Sequence, residues 1–391
     1  MMRSDSSSTE ARMKLGLKNS QPIPWAKPAV DDAELAEVVA CMKSGWLTSG
    51  PRVERFEQQM ALRAGRKHGV AVSNGTAALD LALRVANVGR GDEVVVPALS
   101  YVATASAVAL QGATPVFADV DRRNLGLDPD SAADRIRGKT RAILCTDHGG
   151  NPCDYARLTA LADRHNLPLI LDGAQSIGAT FNGKPALSHG LISTVSFHAA
   201  KTITTVEGGM VFTDDEALAR RMRIIRSQGE DPQRKYHHIE LGHNFRMTEL
   251  QAAIGLAQLA KLDVLLADRQ MLAARYRTEF TAMGLETPPG VAGGRNSHFL
   301  LSVFVPCRDQ IVARLKQRGI ETRVCYPMPL YAQPIFEQFR THACPVSEQA
   351  CATILNPPMF FGLSADEQGR VVDELRSAME ELSVRDLRRA G

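Results

Sequence analysis

Lys201 lies between two short apolar segments, where a side-chain amine can become a nucleophile. It follows a strand predicted at Ser193–Phe197 and precedes a Glu-Gly-Gly turn that leads into a second strand, Met210–Thr213. Burial between strands lowers the pKa of a lysine, because desolvation disfavours the ammonium form. A neutral lysine amine forms Schiff bases with carbonyl compounds such as pyridoxal phosphate. The stretch alone fits a surface lysine in a β-turn equally well, so the decision depends on other residues.

Asp172 follows another predicted strand, Pro168–Leu171, one loop and one strand before Lys201. The carboxyl ends of parallel strands form the crevice in which α/β proteins bind ligands. A carboxylate there can keep a pyridine nitrogen protonated, which makes pyridoxal phosphate an electron sink. Asp172 also fits the N-cap of a following helix, since aspartate is a favoured capping residue.

The segment Ser73–Leu79 comes directly after the strand Gly69–Val72 and opens a helix. Free amides at a helix N-terminus form an anion site suited to a phosphate, and Gly75 lets the backbone approach closely. A plain capped helix start is the alternative. A phosphate cradle, a partner for a pyridine nitrogen and a Schiff-base lysine follow one another along the chain. Together they indicate one crevice for pyridoxal phosphate.

The elements that must position these residues alternate along the chain. The predicted strands are Gly69–Val72, Glu93–Pro97, Thr114–Phe117, Ala142–Cys145, Pro168–Leu171, Ser193–Phe197 and Met210–Thr213. The helices predicted between the first five are Thr76–Ala86, Tyr101–Gln111, Pro129–Arg137 and Asp154–His165. This alternation predicts an α/β fold with a seven-stranded, mostly parallel sheet covered on both faces. No helical period separates the last two strands, so we expect one of them to be antiparallel.

The second half of the chain predicts a smaller unit. Its predicted elements are the helices Thr248–Ala260 and Asp263–Met283, a strand at Phe299–Val305, a helix at Asp309–Arg318, a strand at Ile320–Val324 and a last helix from Ala365. We therefore predict a disordered tail at residues 1–21, a large α/β domain at residues 22–260 and a small C-terminal α+β domain at residues 261–391.

Composition excludes several classes of partner. The 391 residues carry a formal net charge of only +3, so we expect no nucleic acid and no anionic membrane as a partner. No apolar run approaches the roughly 20 residues of a membrane span, and residues 1–21 lack the apolar core of a secretory signal. The seven cysteines are irregularly spaced and form no Cys-x-x-Cys pair. This pattern favours reduced thiols in the cytoplasm over a disulfide framework or a metal site.

Several longer motifs resemble one enzyme family. They are Gly45–Gly50, Ser73–Leu79, Gly91–Pro97, Gly112–Phe117, Asp172–Gln175, Ser196–Lys201, Glu207–Gly209 and Gly242–Ala253. From about Pro28 to about Leu382 the chain resembles the DegT/DnrJ/EryC1/StrS sugar aminotransferases, a branch of the fold type I pyridoxal-phosphate enzymes. The resemblance implies that fold, the cofactor pyridoxal phosphate and a large domain followed by a small one.

The resemblance also implies roles for individual residues. Lys201 would hold the cofactor covalently and then move the proton, and Asp172 would pair with the pyridine nitrogen. The other implied cofactor-binding residues are Gly75, Thr76 and Ser196 at the phosphate, Gln175 and Tyr101 at the ring, and Asn244 at the phosphate of the partner subunit. The active site would then be complete only in a homodimer.

Two segments depart from the family pattern at positions that bear on the substrate. Many members have Pro-Val-His-Leu-Tyr-Gly where this chain has Cys145–Gly150, and a small-domain motif that often ends in histidine ends here in Tyr331. The candidate substrate residues are His148, His198, His237, Arg246 and Tyr331. Arg226 and Arg246 are candidates for binding the donor carboxylate, although both also fit a helix surface.

The implied reaction is a ping-pong transamination from an amino acid, with glutamate as the expected donor, to a nucleotide-linked keto sugar. The loop around Arg226–Tyr236 resembles that of 4-keto-6-deoxyhexose aminotransferases such as perosamine synthases. Two alternatives stay open. One is the same chemistry on a keto-cyclitol or a keto sugar phosphate, and the other is a non-catalytic, cofactor-binding regulator of the same fold.

Overall fold

The computed structural model describes residues 21–390, and for residues 383–390 it describes the backbone alone. The predicted tail therefore lies outside the described residues except for Gln21. The helices are Asp32–Ser44, Pro51–Ala64, Gly75–Val85, Val102–Leu110, Pro129–Ala133, Tyr155–Arg164, Glu216–Arg226, Glu249–Ala260, Leu262–Ala282, Arg308–Gln317, Pro345–Thr353 and Ala365–Ala390.

A seven-stranded sheet forms the centre of the larger part of the chain. Its strands are β1 (His68–Val72), β2 (Glu93–Pro97), β3 (Thr114–Ala118), β4 (Thr140–Thr146), β5 (Leu169–Asp172), β8 (Ile192–Ser196) and β9 (Gly209–Thr213). Their spatial order is β1-β9-β8-β5-β4-β2-β3. Strand β9 is antiparallel to both of its neighbours, and the pairs from β8 to β3 are parallel. The predicted sheet and its antiparallel member are confirmed.

Burial on both faces explains why these strands are continuously apolar. Side chains alternate across a strand, so each strand contributes to two hydrophobic clusters. One cluster packs the sheet against helices that include Pro51–Ala64 and Tyr155–Arg164. The other packs it against Gly75–Val85 and Val102–Leu110. The sheet is therefore a rigid layer whose strand ends are fixed relative to one another.

A third hydrophobic cluster lies among the C-terminal elements. It joins the helices Leu262–Ala282, Arg308–Gln317 and Ala365–Ala390 with the two-stranded sheet of β11 (Val303–Phe304) and β12 (Ile354–Leu355). Ile23 also packs into this cluster, although it precedes the large sheet in sequence. A second small sheet contains β6 (Thr180–Phe181), β7 (Lys184–Pro185) and β10 (Gly294–Arg295). The boundary at residues 260 and 261 stays a prediction.

Three predicted elements differ from the structure. The strand predicted at Phe299–Val305 is limited to Val303–Phe304. The helix predicted at Pro129–Arg137 ends at Ala133, because the amides of Arg135 and Ile136 donate to carbonyls three residues back, as in tight turns. The strand predicted at Ile320–Val324 is absent from the described sheets. This segment makes single bridges, from Ile320 to Ile23 and from Arg323 to Asn356, and the Asn356 side chain accepts from the amide of Cys325, which follows it.

Among the described residues, no single helix is long and apolar enough to cross a membrane. The consecutive helices Glu249–Ala260 and Leu262–Ala282 are together long and apolar enough, but the chain bends by 60° between them.

Candidate functional site

A cleft of about 800 Å³ opens where the parallel strands of the large sheet end. Its wall includes one residue from each of five strand ends, namely Asn74, Tyr101, Thr146, Asp172 and Ser196. Side chains from the C-terminal part of the chain close the opposite wall. The cleft thus lies at the place where α/β sheets bind ligands.

Asp172 is the buried anion of the cleft. It is the last residue of β5, and Thr104 Oγ1 donates to its Oδ2 at 2.7 Å while the Ala174 amide donates to its Oδ1 at 3.2 Å. Burial raises the pKa of the Asp172 carboxyl, and these two donors partly oppose the shift because they stabilise the charged form. The partners of Asp172 therefore favour its charged form against the effect of burial.

Lys201 supplies the amine of the same cleft. Burial lowers its pKa to about 8, and the nearby Asp172 charge acts in the opposite direction. Lys201 Nζ lies 4.6 Å from the centroid of the Phe299 ring, a favourable position for an ammonium group. The turn that carries Lys201 is fixed, since the Thr205 amide and the Thr204 hydroxyl both donate to the Phe197 carbonyl. This lysine is a partly deprotonated amine at near-neutral pH.

The helix Gly75–Val85 presents free amides to the cleft. The Asn74 side chain caps it by accepting from the Ala77 amide at 2.8 Å. In the described part of the chain, the Gly75 and Thr76 amides have no acceptor. A Cβ at Gly75 would lie 2.8 Å from Ser196 Cβ, so only glycine permits this approach. The cradle suits an anion held by amides and hydroxyls.

Gln175 and Tyr326 form a hydrogen-bonded pair beside Asp172. Gln175 Oε1 accepts from the Gly149 amide at 2.6 Å, and its Nε2 donates to the Tyr326 hydroxyl at 3.3 Å. The Tyr326 ring lies 6.0 Å from that of Tyr101, centroid to centroid. The exposed Tyr101 ring thus contacts a second aromatic wall of the cleft.

Asp147 fixes the loop that carries Gln175 against the loop after β4. Its carboxylate accepts hydrogen bonds from the Tyr155 hydroxyl, from Ser176 Oγ at 2.7 Å and from the Cys153 amide at 2.9 Å. Burial raises the pKa of Asp147 to about 6, against the effect of these donors. Because Ser176 follows Gln175 directly, Asp147 ties the loop after β4 to the loop after β5.

The predicted substrate residues divide into those at the cleft and those outside it. His198 lines the cleft with a side chain that is 52% exposed, 3.8 Å from Glu207. His148 is buried behind Tyr326, and burial lowers its pKa to about 4, so it is neutral at physiological pH. Tyr331 does not line the cleft. It is 1% exposed and donates to Glu348 at 2.6 Å, so its predicted substrate contact has no support in this position.

Four polar residues of the predicted site lie away from the cleft within this chain. His237 contacts Asp231 at 3.6 Å on an exposed loop, and Arg246 donates to Gln228 at 3.3 Å. Asn244 is exposed on a segment that bridges to Ser227.

Arg226 is committed to structure, because it pairs with the buried Glu57 at 2.5 Å and donates to the Ala71 carbonyl. A guanidinium paired in this way is not available for a donor carboxylate.

Sequence reasoning missed Thr104, Phe299, Tyr326, Arg323 and Trp25, all of which contact or line the site. Thr104 lies one helical turn after Tyr101, so the position of Tyr101 after a strand was a usable signal for it. The other four come from segments distant in sequence, and only tertiary packing brings them to the cleft.

The site fits pyridoxal phosphate on its own geometry. A buried carboxylate, an amine of lowered pKa and an amide cradle that requires glycine all line one cleft. The carboxylate can pair with the pyridine nitrogen of that cofactor, the amine with its aldehyde and the amide cradle with its phosphate.

Comparisons with known proteins agree with this chemistry. The profile of the DegT/DnrJ/EryC1/StrS aminotransferase family matches residues 28–376. A GDP-perosamine synthase of Caulobacter vibrioides is 39% identical over 361 residues, which cover 90% of this chain and 97% of that protein. A pleiotropic regulatory protein of Geobacillus stearothermophilus is 37% identical, over 85% of this chain and 91% of its own. The structure of DesI in the presence of its TDP-sugar product is 32% identical, with a TM-score of 0.88 over 95% of this chain and 97% of its own.

Replacing Thr104 by valine tests the support of Asp172. Without the hydroxyl donor the pKa of Asp172 rises further. As the pH is lowered, the variant therefore loses the charged carboxylate at a higher pH than the wild type does. We expect the affinity of the cofactor-free protein for pyridoxal phosphate to fall about tenfold, the effect of losing a hydrogen bond to a charged group. Absorbance titration with the cofactor between pH 6 and 8 measures this affinity. We expect the difference between the variant and the wild type to grow as the pH falls.

Thr104→Ser is the matched control, since it keeps the donor and loses only a methyl group. Equal affinity of Thr104→Val and the wild type across this pH range would show that the hydrogen bond has no such role.

Proposed function

Because the chain belongs to the DegT/DnrJ/EryC1/StrS aminotransferase family, we propose that it transfers an amino group from an amino acid to a nucleotide-linked keto sugar. It is a pyridoxal-phosphate enzyme of that family. The observation that carries the proposal is the shared cleft of Lys201 and Asp172, with an amine whose pKa is lowered to about 8. L-glutamate is the proposed donor. The name of the Caulobacter vibrioides relative supports a sugar carried by a nucleotide. The resemblance of the loop Arg226–Tyr236 to that of 4-keto-6-deoxyhexose aminotransferases supports that class of sugar.

We assign the cofactor-binding roles as the geometry suggests. Lys201 Nζ would hold the aldehyde carbon of the cofactor, and the Asp172 carboxylate would keep the ring nitrogen protonated. Gly75, Thr76 and Ser196 bind the phosphate, and the free amides of the first two support this assignment. Gln175 and Tyr101 contact the ring, and both line the cleft.

The chemistry then follows from the protonation states of these groups. Pyridoxal phosphate, when bound, withdraws electrons from the amino-bearing carbon, so the proton on that carbon becomes acidic. The Lys201 amine, released when the amino group of the substrate takes its place on the cofactor, would take that proton as general base and return it as general acid. Thr104 keeps the Asp172 carboxylate oriented. The overall exchange converts an amino acid and a ketone into a keto acid and an amine.

Two assays in sequence test the function. The protein loaded with pyridoxal phosphate is first mixed with L-glutamate alone, and we expect stoichiometric release of 2-oxoglutarate. Nucleotide-linked 4-keto and 3-keto sugars, a keto sugar phosphate and a keto-cyclitol are then offered, and mass spectrometry detects amination. We expect turnover only of a nucleotide-linked ketone, and none with Lys201→Ala.

The alternatives give different results in the same assays. Amination of a keto-cyclitol or a keto sugar phosphate, with every nucleotide-linked sugar inert, would replace the proposed acceptor. Failure to release 2-oxoglutarate from any amino acid would instead favour a cofactor-binding regulator, the kind of role in the name of the Geobacillus stearothermophilus relative.

We further propose that the protein acts as a homodimer in which Asn244 reaches the phosphate in the partner subunit. Asn244 is exposed and does not line the cleft of its own chain. The helix Asp32–Ser44 exposes Leu35, Val39 and Met42, which share one helical face, and each is at least half exposed. An apolar stripe of this kind suits burial against a second copy. The cytoplasmic location, and the absence of nucleic acid and membrane partners, stay predictions.

Mixing two inactive variants tests the shared site. Lys201→Ala and Asn244→Ala each lack activity alone, but a mixed dimer contains one site with both native residues. Statistical reassembly then recovers roughly a quarter of the wild-type sites. The activity of mixtures refolded or exchanged together measures this recovery.

A mixture that stays as inactive as its components would mean that both residues act within one chain, or that Asn244 has no role. Size-exclusion chromatography with light scattering verifies that the mixture contains dimers.

A further inference from the structure

One aromatic and one charged residue of the cleft have no role in the proposed chemistry. Trp25 and Arg323 line the same cleft as Lys201. The Arg323 guanidinium carbon lies 5.6 Å from the centroid of the Trp25 ring, and the Arg323 side chain is 53% exposed. The cationic side chain of Arg323 therefore faces the cleft, although Arg323 is distant in sequence from the cofactor residues.

The neighbours of Arg323 hold its backbone and contact its side chain. Arg323 exchanges two backbone hydrogen bonds with Asn356, of 3.0 and 2.8 Å, and Asn356 is fully buried. Glu321 Oε1 forms an ion pair with Arg323 Nη2 at 2.8 Å, and Glu321 Oε2 accepts from the Trp25 backbone amide at 3.1 Å. One carboxylate thus restrains both the guanidinium and the backbone of Trp25, whose indole covers it. Fixing the side chain in advance reduces the entropy that a bound ligand must remove.

The guanidinium retains donors for a ligand. Arginine has five N–H groups in a planar fork that matches carboxylate and phosphate oxygens. In the described residues, Glu321 is the acceptor that contacts this guanidinium, through Nη2. The remaining edge of the fork is free to bind an anion that enters from solvent.

We propose that Arg323 binds an anionic group of a substrate, either a phosphate of the nucleotide-linked acceptor or a carboxylate of the amino donor. This inference rests on the proposed function and names the subsite that selects its charged substrates. Trp25 covers one face of the guanidinium, and Glu321 holds one edge of it. Bidentate binding would fix the substrate's anionic end and so help to orient its reacting carbon.

Binding of two simple anions to the loaded protein tests the subsite without turnover. Inorganic pyrophosphate represents the acceptor's phosphates, and glutarate represents the donor's carboxylates. Calorimetry on the wild type, Arg323→Gln and Arg323→Lys gives their dissociation constants. We expect Arg323→Gln to raise the dissociation constant of at least one probe about tenfold. Arg323→Lys should recover part of the binding, because it keeps the charge and loses the planar guanidinium.

Arg340→Gln is the matched control, because Arg340 also lies over an aromatic ring, 5.4 Å from the Tyr331 centroid, but outside the cleft. Loss of pyrophosphate binding alone assigns the subsite to the acceptor, and loss of glutarate binding alone assigns it to the donor. If Arg323→Gln binds both probes as Arg340→Gln does, or the wild type binds neither, the subsite is refuted. Arg323-dependent binding without any sugar amination would refute the proposed function alone.

Discussion

Desolvation of two opposite charges in one cleft is the constraint on which the site depends. Burial raises the pKa of Asp172 and lowers that of Lys201, so each group is driven toward its neutral form. Their mutual attraction opposes both shifts, as does the Thr104 hydroxyl for the carboxylate. The balance leaves an amine that is substantially neutral near pH 8 and a carboxylate whose charged form its partners stabilise. Both states are what amino transfer requires of them.

The scaffold holds these groups together because strand β9 returns antiparallel beside β1. That return places Gly209 against the loop after β1, where a Cβ would lie 2.4 Å from the Asn74 carbonyl oxygen. Ser196 meets Gly75 at a similarly close approach, so the lysine-bearing turn and the amide cradle share one contact region. The distance between the amide cradle and the backbone of the lysine-bearing turn is therefore set by close packing at Gly75 and Gly209.

The sequence predicts the sheet, Lys201 and Asp172 because their signals are local. Continuously apolar runs mark buried strands, and a charged residue directly after such a run must lie at a strand end. Thr104, Phe299 and Tyr326 carry no local signal, since their place at the cleft depends on how helices and C-terminal segments pack. The packing of Tyr331 also carries no local signal. In this chain its ring packs on Phe117 and its hydroxyl donates to Glu348, and its contact with a substrate stays a prediction. The segment Ile320–Val324 has strand-like residues, but it forms single bridges to Ile23 and Asn356 and no ladder.

The titration of Lys201 in the cofactor-free protein tests this account most directly. The protein is labelled briefly with an amine reagent across a range of pH. Mass spectrometry of the peptide that contains Lys201 then reports the fraction of neutral amine. An exposed lysine such as Lys43 corrects for the reactivity of the reagent. The account predicts half-maximal labelling near pH 8, the value to which burial lowers its pKa. Half-maximal labelling above about pH 10, where unperturbed lysines titrate, would contradict it.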